Sequence, residues 1–225
     1  MTEELTSKIL AVKGTKGGSG KTTITVNIAI TIAVLDYRVA LVDLDPEKGV
    51  TAILNSRRQN LEKSPQVDIY QADSPVELQR IMDRLQDEYD FIVFDTPGLD
   101  DGLTNAAMRY CDLIVCPFQA SRLDLLTARK VDNGLAKLKE KNPDVKTRAI
   151  INRLTTHHQK RPKKIRNVEE WFEGWENLTL MNSYISNRDA FMDSLDDDLG
   201  VIEYTDEKAA SEIKEVIKEI LGLMG

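Results

Sequence analysis

Apolar residues fall into two kinds of stretch along this chain. Short unbroken runs stand at Ile9-Leu10-Ala11-Val12, Val39-Ala40-Leu41-Val42, Phe91-Ile92-Val93-Phe94, Leu113-Ile114-Val115-Cys116 and Ala149-Ile150-Ile151. Between them lie longer segments whose apolar residues recur at spacings of three and four. Short runs suit strands buried on both faces, and the longer segments suit amphipathic helices. The alternation predicts an α/β fold, with a mostly parallel sheet covered by helices on both faces.

The first strand is expected at about Lys8 to Lys13, and the segment opening at Ile24 reads as a helix through about Asp36. After a polar stretch from Asn55 to Pro65, read as a helix end and loop, Val67 to Tyr70 is expected as a short strand. Ser74-Pro75-Val76-Glu77 has the order of a helix start, with Ser74 as N-cap, Pro75 at N1 and Glu77 at N3. Val76, Leu78, Ile81, Met82 and Leu85 form that helix's core-facing stripe. Phe118 to Ser121 leads into a helix ending near Asn142, and Ala149 to Arg153 supplies the last clear core strand. Leu178 to Met181 reads as one further short strand. The final helix, about Asp206 to Leu221, puts Ile213, Val216, Ile217, Ile220 and Leu221 on one face.

Chemistry concentrates where strands end. Lys16-Gly17-Gly18-Ser19-Gly20-Lys21-Thr22-Thr23 stands between the first strand and the first helix, the arrangement of a phosphate-binding loop. A turn around a polyphosphate aims successive backbone N–H groups inward and brings the backbone close, which suits Gly17, Gly18 and Gly20. The helix start adds unpaired N–H groups and a positive dipole end. Lys21 would neutralise the β- and γ-phosphates, and the Thr22 hydroxyl would hold Mg²⁺.

Two further strands end on acids. Val39-Ala40-Leu41-Val42 runs into Asp43-Leu44-Asp45-Pro46, and Phe91-Ile92-Val93-Phe94 into Asp95-Thr96-Pro97-Gly98. Carboxylates at the strand ends of such sheets face the ligand crevice, where they serve a metal ion or an attacking water. An aspartate before proline is also a common turn former, and that reading stays open for Asp43 and Asp45 singly. Pro97-Gly98 breaks the strand at once, so the following loop can respond to a γ-phosphate.

Together these motifs resemble the ParA/MinD superfamily of P-loop ATPases. Where the common G-x-x-x-x-G-K pattern wants its first glycine this chain has Thr15, followed by the additional lysine Lys16, as in that family's deviant Walker A loop. The resemblance spans nearly the whole chain and implies an ATP- and Mg²⁺-dependent ATPase, slow alone, that closes as a nucleotide-sandwich homodimer. Lys16 would then reach the partner subunit's nucleotide. Asp45 would position or activate the hydrolytic water, Asp43 would lie near the metal's outer shell, and Asp95 would meet the metal shell. Asn152, at the end of its strand, would read the adenine edge, although a turn asparagine is a further reading. Switch II in the family carries two prolines, and Gly98 departs from that pattern. Tyr184 to Phe191 resembles the family's IxxRxAF segment, where Arg188 can serve nucleotide, backbone or DNA.

Composition bounds the rest. The 225 residues are 41% hydrophobic and 30% charged, enough for one sizeable core, and residues 1–225 are expected to form a single P-loop ATPase domain. Cys111 and Cys116 read as reduced residues in or near the core. Taken as one strand, an i, i+5 pair points to opposite faces. No signal sequence and no apolar run of about 18 residues is apparent, so a cytoplasmic protein without stable membrane anchoring is expected.

The net charge of −7 argues against a uniformly basic nucleic-acid binder, yet His157 to Arg166 holds five Lys or Arg and no acid. Lys160, Arg161, Lys163, Lys164 and Arg166, with Arg188, are therefore candidates for a DNA phosphate backbone. A solvated basic loop is the plainer reading. The acidic cluster Asp193, Asp196, Asp197 and Asp198 reads as a solvated helix end.

No helix-turn-helix region is expected before the phosphate loop, and the resemblance is then to small ParA-type proteins that segregate plasmids or position cargo. It implies ATP-dependent, sequence-independent DNA binding, nucleoid association and release on hydrolysis stimulated by a ParB-like partner. A MinD-like membrane-positioning ATPase shares every nucleotide motif. Such a protein uses a C-terminal amphipathic helix with a basic polar face, whereas Glu212, Glu215 and Glu219 offset Lys208, Lys214 and Lys218 here. Docking of that helix onto the domain is expected instead.

Overall fold

The computed structural model describes residues 7–14, 18–97 and 102–225. Seven parallel strands form one sheet: β1 (Lys8–Val12), β2 (Val39–Asp43), β3 (Asp68–Gln71), β4 (Phe91–Asp95), β5 (Leu113–Gln119), β6 (Lys146–Leu154) and β7 (Thr179–Ser186). Their spatial order is β3-β2-β4-β1-β5-β6-β7. β2 and β4 are buried along their whole length, as continuous apolar runs in a two-sided sheet should be.

The helices are α1 (Lys21–Val34), α2 (Gly49–Asn60), α3 (Pro75–Glu88), α4 (Gly102–Ala107), α5 (Arg122–Lys139), α6 (Arg161–Phe172), α7 (Ala190–Asp196) and α8 (Glu207–Met224), with a 3₁₀ turn at Val201–Glu203. One core layer joins the sheet to α1, α2, α7 and α8, and the other joins it to α3, α4, α5 and α6. α1 is apolar almost all round because it lies between the sheet and α8. α8 docks as expected, burying Ile213, Val216, Ile217 and Ile220.

Several expectations are corrected in detail. Ser74 caps α3 as expected, its Oγ accepting from Glu77 N at 3.2 Å, and Glu77 Oε2 accepts from Asp73 N. Val76 is 61% exposed, so the buried stripe starts at Leu78. Cys111 and Cys116 share one core layer, because Cys111 precedes β5 and strand alternation does not reach it. The basic run enters a helix: α6 starts at Arg161 with Pro162 in its first turn. β7 extends to Ser186 and closes the sheet. Pro117 is tolerated inside β5 since the pairing with β1 ends at Val115.

β1 sits between β4 and β5, with chain connections leaving in both directions. That places a crevice beyond the carboxyl end of β1, the usual ligand position in open parallel sheets. The loop before α1 and the ends of β2 and β4 all open there.

Candidate nucleotide site

Thr15, Lys16 and Gly17 lie outside the described residues, as does Gly98. The rest of the loop turns as its glycines require: Gly18 has φ +74° and Gly20 has φ +87°, the left-handed region. Gly20 is required on a second count, because a Cβ there would stand 2.4 Å from Asn152 Nδ2. That nitrogen donates to Ser19 O at 2.8 Å, and Asn152 Oδ1 accepts from Arg153 N. Asn152 is thus a strut beneath the loop. Lys21, Thr22 and Thr23 form the first turn of α1.

Lys21 folds back over Gly14, a residue the sequence reading passed over. A Cβ on Gly14 would lie 2.3 Å from Lys21 Cδ and 2.6 Å from Cγ. Gly14→Ala is therefore expected to push the ammonium off its seat and weaken ATP binding by about 1.5–3 kcal/mol, the range of a charge-assisted hydrogen bond. Titration with a fluorescent ATP analogue checks this, and an unchanged affinity would show that Lys21 has another route to the phosphate.

The three acids converge at the crevice. Asp43 and Asp95 are paired in the β2–β4 register, and both are buried. Asp43 Oδ1 accepts from Asp45 N at 3.0 Å, and its Oδ2 accepts from Thr51 Oγ1 at 2.6 Å and Thr51 N at 3.3 Å. Asp43 therefore holds both the Asp45 loop and the first turn of α2. Asp45 is half-buried, its Oδ1 accepting from Glu47 N.

Asp95 differs. Its Oδ1 lies 2.8 Å from Thr25 Oγ1, whose single proton it shares with Lys21 O at 2.9 Å, but its Oδ2 is buried with no hydrogen-bond partner among the described residues. Burial pushes the Asp95 carboxyl up to about 7, with the charges of Asp43 and Asp45 adding to the rise and Thr25 and Lys21 opposing it. Among the described residues no three acids stand together as a metal cluster, but an orphaned buried carboxylate oxygen fits a hard divalent cation that takes its other ligands from hydroxyl, phosphate and water. Thr22, in the adjacent turn, adds a hydroxyl.

Beside the loop a cavity of about 250 Å³ opens between Gly20 and Thr23 on one side and the ends of β6 and β7 on the other. Asn152, Arg153, Asp189 and Met192 help to line it. A larger groove of about 560 Å³, between β7 and α8, contains none of the loop residues.

The candidate DNA residues divide. Lys160, Lys163, Lys164 and Arg166 are exposed, and none takes part in an ion pair among the described residues. Arg161 is occupied elsewhere, donating to Ser186 Oγ at 2.5 Å and Glu212 at 3.4 Å with its guanidinium over the Tyr184 ring. Arg188 likewise bonds Glu212 at 3.2 Å.

Residues 8–172 match the family described as ATPase MipZ. The chain belongs to this ATPase family. This MipZ-family chain is 26% identical over 215 residues to the Maintenance of carboxysome distribution protein A of Halothiobacillus neapolitanus, a match covering 94% of this chain and 95% of that one. It is 28% identical over 147 residues to the Sporulation initiation inhibitor protein Soj of Bacillus subtilis, covering 50% and 58% respectively. The fold matches apo McdA from Cyanothece with a TM-score of 0.77 at 16% identity, covering 96% of this chain and all of that one. A putative plasmid partition protein of Borrelia burgdorferi bound to AMPPNP matches with a TM-score of 0.74, again at 16% identity, covering 96% and 99%. The ParA/MinD-type fold read from the motifs is the fold observed.

Proposed function

We propose that this chain is an ATP-driven positioning ATPase that rides DNA. The observation that carries the ATPase reading is the crevice itself: Lys21 seated on Gly14, beside a buried Asp95 oxygen that lacks a partner among the described residues. ATP is placed with its phosphates on the loop and first turn of α1, and with its base in the cavity beside Asn152 and Met192. Thr22 and Asp95 would hold Mg²⁺, which when bound neutralises charge on the phosphate oxygens. Lys21 orients the β- and γ-phosphates. Asp45, aimed by Asp43, orients the attacking water and accepts its proton. Lys16 reaches a second copy's nucleotide, so two chains close around two ATP molecules. A partner supplying an arginine to this site would raise hydrolysis by roughly 10³–10⁵.

DNA is favoured as the track by the cations that open α6. Cations destabilise a helix N-terminus, where acids are preferred, yet Lys160, Arg161, Lys163 and Lys164 stand at the start of α6 with no acid in its first turn. A polyanion lying along Lys160, Lys163, Lys164 and Arg166 offsets that cost. The apolar face of α8, in contrast, is already buried against the core, so a membrane role for that helix requires undocking it.

The test is binding to random-sequence duplex DNA and to anionic vesicles with ADP, ATP or a slowly hydrolysed analogue, across a salt series. Replacing Lys160, Lys163, Lys164 and Arg166 by glutamine leaves the Glu212 network intact. ATP-dependent DNA binding is expected to fall about tenfold or more, with a flatter salt dependence. Vesicle binding without DNA binding would move the assignment to a MinD-like positioning protein.

A further inference from the structure

Asn27 is a polar side chain inside the most apolar helix of the molecule, and it is fully buried. Its Nδ2 donates to Thr23 O at 2.8 Å and to Phe191 O at 3.4 Å, while its Oδ1 accepts from Val201 N at 2.7 Å. The first bond stays within α1, and the other two reach α7 and the 3₁₀ turn. Donor and acceptor sides of one carboxamide are both used. Gly200 completes the joint, since a Cβ there would stand 2.6 Å from Ile30 Cγ2.

α1 carries the phosphate loop at its start, and Phe191 and Met192 of α7 stand in the wall of the neighbouring cavity. The Asn27 amide therefore sets the position of that wall relative to Thr23, which lines the same cavity. We infer that Asn27 is a positioning residue for the nucleotide base, fixing the spacing between the phosphate loop and the α7 wall. The inference rests on the reading of this cavity as the base site.

A residue that merely held α1 in place would weaken all ligands of the loop together. A positioning residue for the base acts otherwise, because inorganic tripolyphosphate meets the loop and not the α7 wall. Serine at position 27 is too short to bridge Thr23, Phe191 and Val201. Gly200→Ala pushes the 3₁₀ turn away from Ile30 and draws Val201 N off Asn27 Oδ1 while leaving the Asn27 side chain itself unaltered.

Binding of ATP, GTP and inorganic tripolyphosphate, each with Mg²⁺, is measured by calorimetry for the full chain and for Asn27→Ser and Gly200→Ala. The wild-type chain is expected to prefer ATP to tripolyphosphate. Both variants should lose about fivefold of that preference, the equivalent of one neutral hydrogen bond, with tripolyphosphate affinity held within about twofold and discrimination against GTP reduced. Equal weakening of ATP and tripolyphosphate, or a preference unchanged in the variants, would overturn the inference while leaving the base cavity standing. Absence of any preference in the wild-type chain would overturn both. If Asn27→Ser fails to fold by circular dichroism, Gly200→Ala decides alone.

Discussion

Asp45→Ala is expected to bind ATP with nearly unchanged affinity and to hydrolyse it about 10²–10⁴ times more slowly, the usual worth of a positioned general base. Asp45 lies in the turn after β2, half-buried, with its backbone N–H held by Asp43 Oδ1. Among the described residues its carboxylate bonds only the turn that carries it, through Glu47 N. Removing it therefore disturbs neither the loop glycines nor Lys21. Asp43→Ala is the instructive contrast. It releases Asp45 N, Thr51 N and Thr51 Oγ1 together, so it should lower both turnover and thermal stability. Single-turnover hydrolysis beside nucleotide titration separates the two cases. If Asp45→Ala turned over at the wild-type rate, the water would have to be oriented by a residue elsewhere in the crevice.

That contrast also marks what could be read from the chain. Lys21, Asp43 and Asp95 were legible because each ends or begins an element whose apolar run gives its place: a parallel strand buried on both faces must deliver its terminal residue to the crevice. Nothing local distinguishes the three acids from one another, however. Only the hydrogen bonds show that Asp43 is saturated as a brace while Asp95 keeps an oxygen unpartnered among the described residues.

Residues that act across long sequence separations were invisible. Arg57 stands in a stretch that reads as an ordinary helix end, yet its guanidinium is fully buried and bonds Glu203, Asp198 O and Pro65 O. Thr25 and Asn27 interrupt an otherwise apolar helix. Their spacing of two residues gives one to Asp95 and the other to Phe191 and Val201. The helix at α6 was hidden for the reverse reason: the cations in its first turn oppose helix formation locally, and burial of Val168 and Phe172 against the core overrides them.

Asp95→Asn is expected to stabilise the nucleotide-free, Mg²⁺-free protein at neutral pH and to destroy its ATPase activity. The Asp95 carboxyl is raised from an ordinary 3.8 to about 7, chiefly by burial. A carboxyl raised on folding costs nothing below its unfolded value, where it is protonated in both states. Its penalty grows as pH rises from about 4 to about 7 and is constant above. At about 1.4 kcal/mol per unit the ceiling is roughly 4 kcal/mol. An asparagine can still accept from Thr25 Oγ1, but its buried nitrogen must find an acceptor, which offsets part of the gain. A net stabilisation on the order of 1–2 kcal/mol at pH 7.5 follows, or about 2–8 °C in Tm for a chain of this size. Near pH 4 the order should reverse, because the carboxyl penalty is gone and only the cost of the buried asparagine nitrogen remains. Added Mg²⁺ with ATP should reverse the order, because the wild-type carboxylate then gains a cation that asparagine cannot hold. Equal Tm values for the two proteins at pH 7.5 without ligands would mean that water or a shift of the strand ends already satisfies Oδ2, and the argument that this oxygen awaits a cation would fail with it.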